Sequence, residues 1–137
     1  MDSDHTGSTA CVAVTRREAA HNVLYVANAG DTRAVLSKNG QAQRLSIDHK
    51  ASDPEEIARV KAAGGSIMNE RVAGGLAITR ALGDHSYKNF GVTASPYVVR
   101  HVLRPFDKHL VIASDGVWDT VNDQQAIDLC KDDYNTK

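Results

Sequence analysis

Leu110-Val111-Ile112-Ala113-Ser114-Asp115-Gly116-Val117-Trp118-Asp119 decides how the rest of this chain is read. The apolar run suits a buried strand, which delivers a carboxylate at a glycine turn and a second carboxylate four residues later. Acidic oxygens presented in this way suit a hard divalent cation. The same residues also read as a strand followed by an ordinary Asp-Gly turn, because Asp-Gly is common turn punctuation. Asn28-Ala29-Gly30-Asp31-Thr32-Arg33 repeats the arrangement, since the apolar stretch from Leu24 to Ala27 delivers Asp31 at another glycine. Two such carboxylates could converge on one ion, whereas each alone reads as a solvated turn.

Working outward, Cys11 to Val14 and Val23 to Ala27 are expected to be strands joined by a polar connection, Thr15 to Asn22. Arg33 to Ser37 and Gln41 to Leu45 flank Asn39-Gly40, whose residues tolerate positive φ, so they form a hairpin in an antiparallel sheet. Ser52-Asp53-Pro54-Glu55 reads as a helix start with Ser52 as cap and Glu55 reaching back to it. That helix should run to about Ala63 and stop at Gly64-Gly65, with Glu55 and Arg59 as an i,i+4 pair and Ile57 and Val60 on its core face. Tyr97 to Leu103 is a further strand, Leu110 to Ser114 a fully buried one, and a last helix from Asn122 or Asp123 buries Ala126, Ile127 and Cys130.

Composition excludes several classes. The 137 residues are 42% hydrophobic and 24% charged, which suits one modest globular domain. A net charge of -1 without any run of like charge leaves no footprint for nucleic acid or a membrane surface. Cys11 and Cys130 have neither CxxC nor zinc spacing, so both read as reduced core residues. The first residues lack a basic, apolar leader and no apolar run reaches membrane-spanning length, so a cytoplasmic or nuclear location is expected.

Two further segments bear on function. Arg71 through Asp84 combines small residues, which allow close backbone approach, with Arg71 and Arg80, whose planar donors suit carboxylate or phosphate. The other reading is a tightly packed loop whose arginines pair with structural acids. In Asp48-His49-Lys50, the histidine reads as a hydrogen-bonding turn residue rather than a catalyst.

Gly7-Ser8-Thr9-Ala10, Val26 through Ala34, Asp48-His49-Lys50, Gly64-Gly65, Arg71 through Asp84 and Ala113 through Asp119 together resemble the metal-dependent protein serine/threonine phosphatases of the PP2C type. The resemblance runs in order from about Gly7 to Leu129. It implies an α+β fold, an antiparallel β-sandwich flanked by helices, with two Mg²⁺ or Mn²⁺ ions in a cleft. It also implies phosphoprotein substrates, whose phosphoserine or phosphothreonine is attacked directly by a metal-activated water. By motif, Asp115 matches a ligand of the binuclear centre, while Asp31, Asp119 and Thr9 match positions around a third metal site that shares Asp115. The residues around Arg80, Asp84 and His85 match the substrate flap.

The family pattern starts before Gly7, with an acidic ligand pair, an Asp-Gly-His-Gly segment and a phosphate-holding arginine, and ends with an Asp-Asn motif on a closing strand. Residues 1–137 lack these, so a partial domain is expected that binds metal weakly, shows little catalysis alone and self-associates through open sheet edges. The alternative is a non-catalytic regulatory or binding module of the same fold, against which the retained Asp31, Asp115 and Asp119 weigh. A calcium-binding sandwich is a third idea, but no EF-hand spacing is present.

Overall fold

The computed structural model describes residues 4–132. In chain order the elements are β1 (Gly7–Ser8), β2 (Ala10–Glu18), β3 (His21–Ala29), β4 (Arg33–Lys38), β5 (Gln41–Arg44), α1 (Pro54–Ala62), β6 (Ile67–Met68), β7 (Arg71–Val72), β8 (Leu82–Gly83), α2 (His85–Lys88), β9 (Tyr97–Val102), β10 (Asp107–Ala113), α3 (Asp115–Trp118) and α4 (Asp123–Asp132). No helix among the described residues is long and apolar enough to cross a membrane. The chain divides into two compact units, one built from residues up to 10, 28–31 and 48–96, the other from 11–27, 32–47 and 97 onward.

The second of these units is a sandwich. Its two sheets have the strand orders β10-β4-β5 and β2-β3-β9. Alternation sends Leu24 and Val26 of β3 and Ala34 and Leu36 of β4 to one shared core with Leu45, against which Cys11, Ala13, Val99 and Leu110 pack. Each fully buried Leu or Val contributes about 1.5–3 kcal/mol of hydrophobic stabilisation. The intervening residue Val35 faces the other way and meets Trp118, Ala126 and Ile127, so α3 and α4 cover the outer face of the first sheet. The outer face of the second sheet leaves Val12, Val14 and Val98 more than half exposed.

The expected hairpin is present. β4 and β5 pair antiparallel from Lys38↔Gln41 to Val35↔Arg44. Asn39 and Gly40 both adopt positive φ, 50° and 80°, which matches a two-residue turn to the strand twist. Two strand expectations need correction. The stretch from Thr15 to Asn22 is not a loop: β2 runs to Glu18 and β3 resumes at His21, leaving only Ala19 and Ala20 between them. Its polar residues extend both strands beyond the apolar core, where Glu18 accepts from the Tyr25 hydroxyl (2.6 Å) and Arg100 Nη2 (2.6 Å). Nor is the stretch from Leu110 to Ser114 fully buried, since β10 lies at the edge of its sheet and Ile112 is 40% exposed.

The first unit has little regular sheet. It consists of α1, α2, the two-stranded pairs β1-β8 and β6-β7, and connected loops around an apolar cluster of Ala51, Val60, Val72, Ala81 and Val92. In α1 the cap is Asp53 rather than Ser52, and its carboxylate accepts from the Glu55 and Glu56 N–H groups at 2.9 and 3.0 Å. Pro54 occupies the first turn, where a missing N–H costs nothing. Val60 is fully buried as expected and Ile57 only half, but the acid turned inward is Glu56, and Arg59 pairs with it at i,i+3 instead of with Glu55.

Candidate functional site

The acidic turn lies in the sandwich unit. β10 ends at Ala113, Ser114 is extended, and Asp115 opens the single turn α3. Asp119 follows one turn on, its N–H donating to the Asp115 carbonyl at 2.8 Å, so the two exposed carboxylates share a face of the turn. Trp118 anchors the turn from beneath. Its indole N–H donates to the Ala113 carbonyl at 2.8 Å and its ring packs on Val35 and Ile127. The Arg33 guanidinium lies 5.2 Å from the Trp118 ring centroid, within cation–π range.

Arg33 is held from the other side by Asp123 at 2.7 Å, and Arg44 reaches the same carboxylate at 2.8 Å. Burial pushes the Asp123 carboxyl up, but hydrogen bonds from Arg44 and Arg33 outweigh it and hold the group below the usual carboxylate range. These residues and Asp119 line an open cavity of about 600 Å³.

Asp31 and Thr9 belong to the other unit. Gly30, at φ +104°, makes the turn that precedes Asp31, and a β-carbon there would lie 2.4 Å from Thr9 Cγ2. Only glycine permits that approach. The structure therefore brings Thr9 against the Gly30-Asp31 turn. Asn28 Nδ2 donates to the Gly30 carbonyl at 3.0 Å and the His49 backbone N–H does so at 2.9 Å. His49, 1% exposed, places Nδ1 3.2 Å from Gly30 N and 3.1 Å from its carbonyl, accepting from the first or donating to the second according to tautomer. Burial, followed by the nearby Arg80 charge, keeps the His49 pKa below its ordinary value, so the ring is neutral at pH 7. This is the structural role expected of it.

The brace continues from His49. Thr79 donates to the His49 carbonyl through its N–H (3.0 Å), and its hydroxyl reaches Glu56 Oε2 at 2.5 Å. Glu56 also accepts from Arg59 Nη2 at 2.8 Å and Arg80 Nη2 at 2.6 Å. One buried carboxylate thus receives two guanidinium groups and a hydroxyl. Burial alone would raise the Glu56 pKa, but the hydrogen bonds from Arg80, Arg59 and Thr79 more than reverse that, leaving it far below the carboxylate range. Sequence reasoning missed Glu56, and the available signal was its spacing: three residues before Arg59 and on the same helical face as Val60.

The flap candidates are engaged separately. Arg80 turns to Glu56 and to the Ser95 carbonyl at 3.0 Å, the loop-packing reading of its sequence. Arg71 donates to the Gly75 carbonyl at 2.8 Å. Asp84 is buried in the left-handed region at φ 48°, an unusual conformation for a non-glycine residue, beside Gly7 of the β1-β8 pair. His85 is exposed at the start of α2.

A profile of the "Protein phosphatase 2C" family matches residues 1–137. The chain belongs to the protein phosphatase 2C family. It is 44% identical over 140 residues to "Protein phosphatase ppm-1.G" of Caenorhabditis elegans, covering 96% of this chain and 28% of that protein. It is likewise 44% identical over 141 residues to "Protein phosphatase 2C homolog 1" of Saccharomyces cerevisiae, covering 93% of this chain and 50% of the relative. The crystal structure of serine-threonine phosphatase 2C from Toxoplasma gondii superposes with a TM-score of 0.76 at 26% identity, over 91% of this chain and 46% of that one. The chain therefore spans between about a quarter and a half of these two relatives' length. The expected α+β sandwich is the fold of this family.

A protein phosphatase 2C domain implies metal, which can be tested against the donors present. Asp115 and Asp119 supply oxygen ligands of the kind a hard cation accepts. Among the described residues, however, no three His, Cys, Asp or Glu side chains gather into a metal-ligating cluster. Asp115 and Asp119 would supply two of the six or more oxygens such an ion takes, the rest falling to water or to other groups.

Proposed function

We propose that the whole protein containing this chain is a Mg²⁺- or Mn²⁺-dependent phosphatase acting on phosphoserine and phosphothreonine in proteins. In this reading Asp115 and Asp119 are among the acidic groups it presents to metal. The observation that supports it is the Asp115–Asp119 turn at the end of β10, anchored by Trp118 and exposed on one face, in a protein phosphatase 2C chain. Cys11 and Cys130 are both free thiols, which supports action in a reducing cytoplasmic or nuclear compartment.

Phosphate release from a phosphothreonine peptide tests the reading, using a protein of the relatives' full length with and without Mn²⁺. Activity should require the metal, and Asp115→Asn should lower kcat/KM about 100-fold or more, because it neutralises an oxygen donor at nearly constant volume. The variant's circular dichroism should match the parent's. Full activity in excess EDTA would overturn the proposal. Phosphopeptide binding without turnover would favour the non-catalytic module.

A further inference from the structure

Arg59, Arg80 and Lys88 line a second cavity, of about 550 Å³, with Thr93 and Ser95 on its wall. None of the described residues lining it is acidic. The acids close to these cations are Glu56, already clasped by both guanidinium groups, and Asp84, which acts on Lys88. Three cations against two carboxylates leave the region with an excess positive charge.

The hydrogen-bond inventory leads the same way. A guanidinium has five N–H donors and an ammonium three. Arg59 directs Nε and Nη2 to Glu56, Nη2 also to the Thr79 carbonyl, and Nη1 to the Gly91 carbonyl. Arg80 directs Nε and Nη2 to Glu56 and Nη1 to the Ser95 carbonyl. Lys88 Nζ donates to the Ala81 carbonyl at 2.7 Å. One Nη1 hydrogen on Arg59, one Nη1 and one Nη2 hydrogen on Arg80, and two ammonium hydrogens on Lys88 therefore have no acceptor among the described residues. Glu56 fixes both guanidinium planes, so little side-chain entropy is left to lose when a ligand arrives.

We propose that this cavity binds a phosphoryl dianion, either inorganic phosphate or the phosphorylated side chain of a peptide. Donors from three separate side chains suit a tetrahedral group with three oxygens better than a planar carboxylate, and the excess positive charge favours a dianion. Partial burial strengthens the attraction: the Arg80 side chain is 18% exposed and the Arg59 side chain 30%. Burial also holds the Lys88 pKa below its ordinary value, against the opposing charge of Asp84, and a bound dianion would relieve that cost. The site needs no catalysis and stands apart from the phosphatase reading.

Calorimetric titration of the 137-residue chain in EDTA tests it, with inorganic phosphate, a phosphothreonine tripeptide and the same tripeptide carrying glutamate. Arginine Nε–H resonances are followed in parallel. The expected result is saturable binding of phosphate or phosphopeptide, movement of the Arg59 and Arg80 signals, and about tenfold weaker binding in Lys88→Gln, the loss expected for one charge-assisted hydrogen bond. The tighter of the two phosphoryl ligands identifies the source. Arg80→Gln is the obvious variant but disturbs the Glu56 clasp, so Lys88→Gln, remote from that carboxylate's hydrogen bonds, carries the test. No saturation by either phosphoryl ligand, equal binding of the glutamate peptide, or unchanged affinity in Lys88→Gln would overturn the proposal.

Discussion

The two compact units of this chain are held together by different physics. The sandwich unit buries alternating apolar residues between two sheets and packs Ile127 and Trp118 on an outer face. The loop-rich unit has a smaller apolar cluster around Val60 and Val72, and much of its chain is tied to one buried carboxylate. Through Arg59, Arg80 and Thr79, Glu56 reaches the carbonyls of His49, Thr79, Gly91 and Ser95. Regular sheets distribute stabilisation over many weak contacts, so one lost methyl group is felt locally. A segment without regular structure concentrates it, and a single atom pair then holds several loops.

The largest expected effect comes from breaking that concentration. Glu56→Ala leaves two guanidinium groups facing each other over a cavity and should lower stability by about 3–5 kcal/mol, the range for breaking a buried ion pair. Urea unfolding measures it, with Glu56→Gln smaller because Thr79 and one arginine keep an acceptor. In the sandwich unit, Ile127→Ala should cost about 2–4 kcal/mol through lost burial and the cavity left behind, read from the same unfolding curves.

Acid separates the contributions further. A carboxylate whose folded pKa is depressed contributes stability that is complete above its unfolded value, 4.5 for Glu56, and is lost as pH falls through the folded value. Stability should therefore hold from pH 7 to about 5 and decline below that. Glu56→Gln should flatten the decline, visible in denaturant midpoints collected between pH 6 and pH 3. The smallest effect belongs to Arg44→Gln, at or below about 1 kcal/mol in the same unfolding assay, because the Arg44 side chain is 42% exposed and Arg33 still holds Asp123.

The same contrast explains what the sequence disclosed. Strands β3, β4 and β10 and the Asn39-Gly40 hairpin were legible because short apolar runs end there at turn residues and the two-residue turn demands positive φ. The acidic turn at Asp115 was legible because an apolar run ends on it. In the other unit many ordering contacts join residues 20 or more positions apart, as Glu56 joins Thr79 and Arg80, and no local period announces those. Asp53 and Ser52 are both good caps in sequence, and Glu56 lies one turn before Val60 on the buried face, where a carboxylate is not expected. For Arg80 the sequence allows two readings, a donor for phosphate or a partner of a structural acid, and does not name that acid because Glu56 lies on a distant helix.

Amide hydrogen exchange on Glu56→Gln examines most directly the claim that one buried carboxylate holds the loop-rich unit. Protection should fall selectively across residues 48–96, including the Ala51, Thr79 and Ala81 amides that bond across loops, while the Leu36, Val111 and Ile127 amides keep their exchange rates. Uniform loss throughout the chain, or unchanged protection in 48–96, would contradict it.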